Sequence, residues 1–308
     1  MAPGSLVRLG ILAVVWGSSF LWIAIGLRGF SPVQVTFGRV ALGAVVLGVI
    51  VAWRRLTLPN EPMAWLHLAV AAMSANVIPW LLFAVGEQQV SSSVAGLLNG
   101  TTPLWTLLIV LATGDRQGMS TSRVAGLLLG FGGTLLIFSP WRAGSDVASW
   151  GGLACLVAAA SYGASFVYAD RYLVRRGLHP VVLAGCQLLI STVILGAATL
   201  ISGPDLAPLR WDAAAAVVVL GIAGTGLALI LYYRLITDVG PTASVVTYLL
   251  PVVALLLGAV VLSEPLTVPV VLGMVTVLAG VALVRRTPSD TEDDATEHAP
   301  RDGERVGT

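Results

Sequence analysis

Ten apolar runs, each about as long as a bilayer-spanning helix, are the feature that most constrains this chain of 308 residues. Numbered as spans 1 to 10, they cover residues 6–28, 32–53, 63–85, 91–112, 122–139, 150–172, 180–201, 212–235, 242–262 and 268–284. Charged residues make up only 11% of the chain, whereas soluble domains carry about 25%. This pattern excludes a soluble enzyme, a nucleic-acid binder and a disordered chain, and it predicts an all-α polytopic membrane protein with ten transmembrane helices.

The arginines predict how these helices are oriented, because the chain has 17 basic residues and no lysine. With the N-terminus in the cytoplasm, thirteen arginines fall on the inner side: Arg8, Arg54, Arg55, Arg116, Arg123, Arg171, Arg175, Arg176, Arg234, Arg285, Arg286, Arg301 and Arg305. Three fall on the outer side: Arg28, Arg142 and Arg210. By the positive-inside rule, both termini are predicted to be cytoplasmic. "Inner" and "outer" refer below to this predicted orientation.

The two halves of the chain repeat one another. Trp16-Gly17-Ser18-Ser19-Phe20 matches Tyr162-Gly163-Ala164-Ser165-Phe166 at an offset of 146, and Pro103 matches Pro251 at an offset of 148. Gly126 and Gly133 match Gly273 and Gly280 at 147. Since each unit holds five spans, an odd number, the second unit must cross the membrane in the opposite sense. The sequence therefore predicts two inverted five-helix repeats, 6–139 and 150–286, followed by an acidic, disordered cytoplasmic tail, 287–308.

Short motifs in both halves resemble the drug/metabolite transporter superfamily and, within it, the EamA-type transporters with ten helices. They are Trp16-Gly17-Ser18-Ser19-Phe20, the Arg39 segment, Leu250-Pro251-Val252 and Leu262-Ser263-Glu264-Pro265-Leu266-Thr267. The resemblance implies a secondary transporter of small metabolites in the cell membrane. One departure is that Arg116, preceded by Asp115, stands where the family usually repeats the Glu264 turn.

Polar and aromatic side chains at helical spacing within the spans are candidates for a substrate site, because polar groups facing lipid are costly. Ser19 and Trp22 share a face of span 1, as do Asn76 and Trp80 in span 3. The predicted substrate-binding residues are Trp16, Ser19, Trp22, Asn76, Trp80, Asn99, Thr102, Ser165, Tyr168, Thr225 and Tyr248. For the aromatic residues, ordinary packing is the alternative.

Four further residues are predicted to kink or gate the helices. Pro103 and Pro251 lie about halfway along spans 4 and 9, where a proline either bends the helix near a binding site or only shapes packing. Arg39 lies about 10 Å inside span 2 at ~1.5 Å per residue. It pairs with Glu87 as an outer-side clamp or receives a substrate carboxylate; the alternative is that it extends to the outer interface or bonds helix carbonyls.

The leading hypothesis is export of a small polar metabolite, such as an amino acid, by alternating access of the two halves. The alternative is proton-coupled efflux of cationic compounds, which normally needs a carboxylate buried in the membrane. A membrane enzyme is a remote alternative, because the sequence has no membrane Asp pair, HExxH motif or Cys/His cluster, and its histidines, His67, His179 and His298, lie near a span's inner end, in a loop and in the tail. A carrier of phosphate esters would need several basic groups in the site.

The expected partners are the small metabolite and the lipid bilayer, with no nucleic acid, metal or cofactor. The glycines spaced seven residues apart in spans 5 and 10 favour close helix contact, either within the subunit or in a homodimer. The absence of an evident proton carrier favours exchange or facilitated diffusion over proton antiport.

Overall fold

The computed structural model describes residues 3–113, 121–138, 149–173, 176–202, 210–239 and 246–285, and all regular structure in them is helical. The α-helices are α1 Pro3–Gly17, α2 Ser19–Gly26, α3 Pro32–Trp53, α4 Pro62–Ala72, α5 Ile78–Gly86, α6 Ser92–Asn99, α7 Thr102–Ala112, α8 Thr121–Phe138, α9 Trp150–Tyr172, α10 Pro180–Ser202, α11 Trp211–Gly221, α12 Ala228–Val239, α13 Val246–Val261 and α14 Val268–Arg285. Met73–Val77 joins α4 to α5 as a first π-helical segment, and Ile222–Leu227 joins α11 to α12 as a second. The predicted all-helical architecture is confirmed.

These helices coincide along the chain with the ten predicted spans. Among the described residues, seven stretches are long and apolar enough to cross a bilayer: Gly4–Gly26, Pro32–Trp53, Pro62–Gly86, Ser92–Ala112, Trp150–Tyr172, Pro180–Ser202 and Trp211–Tyr232. Three apolar helices are shorter: Val124–Ile137, Leu249–Val261 and Val268–Leu283. The number of crossings and the side of each terminus stay predictions, and the tail 287–308 and the turn with Asp115 and Arg116 lie outside the described residues.

Serine caps and prolines explain where several helices begin. The Ser31 hydroxyl accepts a hydrogen bond from the Gln34 N–H at 3.3 Å, and the Gln34 side-chain oxygen accepts one from the Ser31 N–H at 2.9 Å. This reciprocal capping box satisfies two N–H groups that would otherwise lack partners at the start of α3. Pro32 follows at the first helical position, where the missing N–H costs nothing.

Two of the predicted spans are broken helices. Span 1 is interrupted at Ser18, between α1 and α2, and span 4 is interrupted at Gly100–Thr101, between α6 and α7. Pro103 therefore lies in the first turn of α7 rather than in the middle of a continuous helix, because that turn tolerates a residue without an N–H. Pro251, in contrast, lies inside α13, as the sequence predicts.

The glycines of spans 5 and 10 pack α8 against α14 within one chain. A Cβ atom on Gly133 would lie 2.9 Å from the Gly273 carbonyl oxygen, and one on Gly280 would lie 2.6 Å from that of Gly126. Only glycine allows so close an approach of two helix backbones. These faces are occupied inside the subunit, so a homodimer through spans 5 and 10, the other alternative, would have to use the opposite faces.

Each α-helix of the first half has its main packing partner in the second half, which brings the halves face to face. The pairs are α1 with α13, α2 with α11, α3 and α4 with α10, α5 and α7 with α9, α6 with α13, and α8 with α14, and α3 also packs on the second π-segment. Large apolar side chains cover the outside, among them Leu128, Val193 and Val260, as expected for helices that lie in lipid. The interface between the halves is therefore where polar side chains are enclosed.

Candidate substrate site

The two π-helical segments lie at corresponding positions of the two halves, since Met73 and Ile222 are 149 residues apart. A π-segment widens the helix by one residue and is frequent at functional sites. In the first, Pro79 lies two residues after the end of the segment and cannot donate a hydrogen bond to the Ala75 carbonyl, which disfavours a regular α-helix. In the second, the conformational freedom of Gly224 and Gly226 lowers the free-energy cost of departing from a regular α-helix. Both segments face the interface between the halves.

Arg39 of α3 is a charged residue that is buried, with 8% of its surface exposed. Its Nε–H donates a hydrogen bond to the hydroxyl of Thr225 in the second π-segment at 3.0 Å. Its guanidinium carbon lies 3.9 Å from the centre of the Trp80 ring, a cation–π contact. Arg39 thus joins α3, α5 and the second π-segment at one point.

The terminal nitrogens of Arg39 are the groups that a ligand would meet. A guanidinium has five N–H donors, and the Thr225 hydroxyl uses the one on Nε. No described residue accepts a hydrogen bond from the other four. Arg39 is held on one side and keeps the paired donors that match a carboxylate.

Tyr162 of α9 extends this group and was missed by the sequence predictions. The Trp80 indole N–H donates a short hydrogen bond to the Tyr162 hydroxyl. The Tyr162 ring also contacts Phe83 and Phe166, at centroid distances of 6.1 and 6.4 Å. The internal repeat could have identified Tyr162, because Tyr162 corresponds to Trp16, which is among the predicted residues.

Asn76 of the first π-segment and Ser19 of α2 are two further predicted residues, and both are buried. The Asn76 side-chain N–H donates to the Ser191 hydroxyl at 3.4 Å, and Asn76 is buried. The Ser19 hydroxyl is also buried and lies against the second π-segment, where a Cβ on Gly224 would be 3.6 Å from it. Arg39 thus contacts Trp80 and Thr225, Asn76 lies about one helical turn before Trp80, and Ser19 lies against the segment that contains Thr225.

Other predicted residues lie elsewhere or bond locally. Trp16 packs on Tyr232 at a centroid distance of 5.0 Å, and the Trp22 N–H donates to the Ser18 hydroxyl at 3.2 Å. Thr102 and Ser165 donate to nearby carbonyl oxygens of Asn99 and Tyr162, at 2.7 and 2.8 Å. The side chain of Tyr248 lies outside the described residues.

Tyr168 belongs to a separate aromatic cluster near the inner ends of α4 and α9. Its hydroxyl lies 2.7 Å from Nδ1 of His67, and the His67 ring stacks on Tyr172 at 5.0 Å. This cluster contains no member of the Arg39 group.

The predicted clamp between Arg39 and Glu87 is not formed. Glu87 follows the last residue of α5, and both of its carboxylate oxygens are buried without a hydrogen-bond partner among the described residues. Arg39 instead contacts Thr225 and Trp80. Electrostatically the two charges still act on one another, so they lie in one region of the bundle.

Glu264, in the turn between α13 and α14, differs from Glu87 because its carboxylate accepts several hydrogen bonds. One oxygen accepts from the Ser92 N–H and hydroxyl, both at 2.8 Å, and the other accepts from the Ser93 N–H at 2.9 Å and from its hydroxyl. A carboxylate at a helix N-terminus is favoured by the unpaired N–H groups there. The Glu264 motif therefore docks the second half onto the start of α6.

Comparisons with known proteins agree with this architecture. The uncharacterized inner membrane transporter YedA of Escherichia coli (strain K12) is 28% identical over 261 residues, which are 80% of this chain and 79% of that protein. The uncharacterized transporter YoaV of Bacillus subtilis (strain 168) is 24% identical over 286 residues, with 89% and 95% covered. One solved crystal structure covers 92% of this chain, and 98% of it is covered in turn, with a TM-score of 0.63 and 20% identity; such a likeness shows the fold alone.

The sequence profile of the EamA-like transporter family matches the chain twice, over residues 6–139 and 149–286. Together these matches span nearly all of the apolar part. The resemblance found in the short motifs is confirmed, as is a multi-pass protein of the cell membrane. The chain belongs to the EamA-like transporter family.

Proposed function

We propose that this protein is a secondary transporter that exports a small carboxylate-bearing metabolite, such as an amino acid, by alternating access of two inverted halves. In this proposal ten helices cross the membrane, and both termini are cytoplasmic. The arginine distribution supports the orientation, and the paired π-segments support the inverted repeat. Trp53, Trp150 and Trp211 at helix ends are each about four-fifths exposed, where an aromatic belt would lie.

The observation that carries the substrate class is the environment of Arg39. Its terminal N–H groups point to an anionic group on the ligand, because a guanidinium and a carboxylate form paired hydrogen bonds. The Trp80 and Tyr162 rings next to it offer apolar faces, and the Asn76 amide offers further hydrogen bonds. A single cation beside neutral polar groups suits a zwitterion or monocarboxylate better than a phosphate ester.

One relative gives the same indication. A protein of Chlamydia muridarum named as an S-adenosylmethionine/S-adenosylhomocysteine transporter is 25% identical over 149 residues, which are 48% of this chain. Both of those compounds carry an α-amino acid group, the chemistry that the Arg39 environment would bind.

The test is release of solutes from proteoliposomes loaded with the twenty standard amino acids and analysed by mass spectrometry. We expect the protein to release at least one of them faster than protein-free liposomes do. Arg39→Gln should lower that release at least about 30-fold, because losing one partner of an enclosed charged pair costs about 2 kcal/mol or more.

Two further variants make this result specific. Arg39→Lys keeps the charge but loses the paired donors, so it should recover only part of the rate. Arg176→Gln is the matched control, since Arg176 forms an exposed ion pair with Glu61 at 2.8 Å and its loss should leave release unchanged. Equal release by wild type and Arg39→Gln would overturn the proposed role of Arg39.

Proton-coupled efflux of cationic compounds is the second candidate, and the buried Glu87 carboxyl group is the observation that favours it. The charge of Arg39 in the same region weighs against a cationic ligand. Efflux of tetraphenylphosphonium from the same proteoliposomes, with no release of amino acids, would replace the leading proposal by this one.

A further inference from the structure

Glu87 has a buried carboxyl group to which no described neighbour donates a hydrogen bond. Both carboxylate oxygens are buried, and no described residue donates a hydrogen bond to either of them. Enclosing an ionised carboxylate without such partners costs several kcal/mol, whereas the protonated acid costs much less. Burial in a medium of low dielectric therefore favours the neutral form of this side chain.

The charged and titratable groups around Glu87 come from three other parts of the fold. Arg39 on α3 attracts the ionised form and Glu264, after α13, repels it. The Cys155 thiol of α9 is also within electrostatic reach, where Gly86 packs against the Cys155 sulfur. Arg39 is held by Thr225 and Trp80, and Glu264 is held by the start of α6. None of these groups neutralises Glu87 in this conformation.

We propose that Glu87 is a proton-binding site at the outer end of the substrate path, protonated while Arg39 is bound to Thr225 and ionised when the Arg39 guanidinium turns to Glu87. On ionisation the carboxyl O–H bond breaks, the proton passes to water outside, and Arg39 balances the carboxylate charge. This inference rests on the proposed function, because a substrate carboxylate on Arg39 would compete with Glu87. Substrate binding is then linked to the uptake of one proton.

Infrared spectroscopy of the purified full-length protein in lipid tests directly whether the Glu87 carboxyl group is protonated. A protonated carboxylic acid has a C=O stretch that is separate from the bands of a carboxylate. We expect this band in wild type at pH 7 and its loss in Glu87→Gln, which has nearly the same shape. Glu61→Gln is the matched control, because the exposed Glu61 is paired with Arg176 and its removal should leave the band unchanged.

Two results would overturn the proposal. One is a wild-type spectrum at pH 7 without the band, as expected if Glu87 were ionised or carried a sodium ion. The other is a band that persists in monodisperse Glu87→Gln protein. The spectrum requires no substrate, so a protein that moves no amino acid but shows the band contradicts the proposed function and leaves the proton site intact.

A second measurement tests the link to Arg39. Raising the pH should ionise Glu87 and remove the band from wild type. In Arg39→Gln the ionised form loses its balancing charge, so the band should persist to a pH roughly one unit higher or more, the size of shift that an adjacent arginine gives a carboxyl group. Identical titrations of the two proteins would overturn the exchange between Thr225 and Glu87.

Discussion

Glu87 and Glu264 carry the same chemical group and lie close enough to interact electrostatically, but they are bound in opposite ways. The Glu264 carboxylate accepts four hydrogen bonds from two serines at the start of α6. The Glu87 carboxylate accepts none from the described residues. The four donors hold the Glu264 carboxylate in place, whereas the Glu87 carboxyl group has no such donors and gains by taking up a proton. The contrast separates a structural carboxylate from an exchangeable one.

The largest expected effect in this comparison comes from removing the charge of Glu264. In Glu264→Gln one oxygen becomes an NH₂ group that faces the N–H and hydroxyl of Ser93 or Ser92, so donors meet donors. We expect the free energy of unfolding to fall by about 3 kcal/mol, the upper part of the range for hydrogen bonds to charged groups. Thermal unfolding in detergent measures this as a lower midpoint. An unchanged midpoint would mean that the four hydrogen bonds contribute no net stability.

The same contact can be disturbed from its other side through Gly258 of α13. A Cβ atom there would overlap the Ser93 hydroxyl and the Glu264 carboxylate, so Gly258→Ala should push the two apart. We expect a loss of about 2 kcal/mol, typical of overpacking in a filled interior. Gly48→Ala on α3 is the matched control, because a Cβ there has no neighbour within 4 Å. If both variants unfold at the same midpoint, the tight fit around Glu264 is unimportant.

A smaller effect is expected from Trp80→Phe, which tests how firmly Arg39 is held near Glu87. Phenylalanine keeps an aromatic face under the guanidinium but cannot donate to the Tyr162 hydroxyl. The loss should be about 1 kcal/mol, the usual net contribution of one hydrogen bond, again measured by thermal unfolding. In Tyr162→Phe the same hydrogen bond is lost from the other partner, so the double variant should cost less than the sum of the two.

The smallest effect, and the one that most sharpens the contrast, is that of Glu87→Gln on stability. Since Glu87 has no hydrogen bond to lose among the described residues, this variant should unfold within about 0.5 kcal/mol of wild type, the range of neutral substitutions. A loss as large as that of Glu264→Gln would show that Glu87 is a structural carboxylate as well. The distinction between Glu87 and Glu264 would then be wrong.

The sequence predictions succeed for properties that depend on each residue's own polarity or conformational needs. Asn76 is predicted to line a polar interior because an amide facing lipid is costly, and it is buried. The glycines of spans 5 and 10 are predicted to allow close helix contact, and α8 and α14 pack on them. The family follows from motifs of a few residues each, and the profile match confirms it.

The predictions fall short where the outcome depends on partners far away in the chain. Arg39 and Thr225 are 186 residues apart, and nothing local in span 2 or span 8 pairs them. Tyr162 and Ser191 act as partners of Trp80 and Asn76, although their own segments look like ordinary packing. The break at Gly100–Thr101 and the two π-segments leave the hydropathy of their spans unchanged, so a count of apolar residues cannot detect them.

The amino-acid sequence alone thus determined a helical membrane chain, its family and which side chains avoid lipid, because lipid discriminates residues one at a time by polarity. Only the tertiary structure decided that Arg39 is bound to Thr225, that Glu264 caps α6 and that Glu87 is left with no described partner. Those outcomes depend on which donors are brought within about 3 Å of an acceptor. That distance is set by the packing of the two halves and by no single segment.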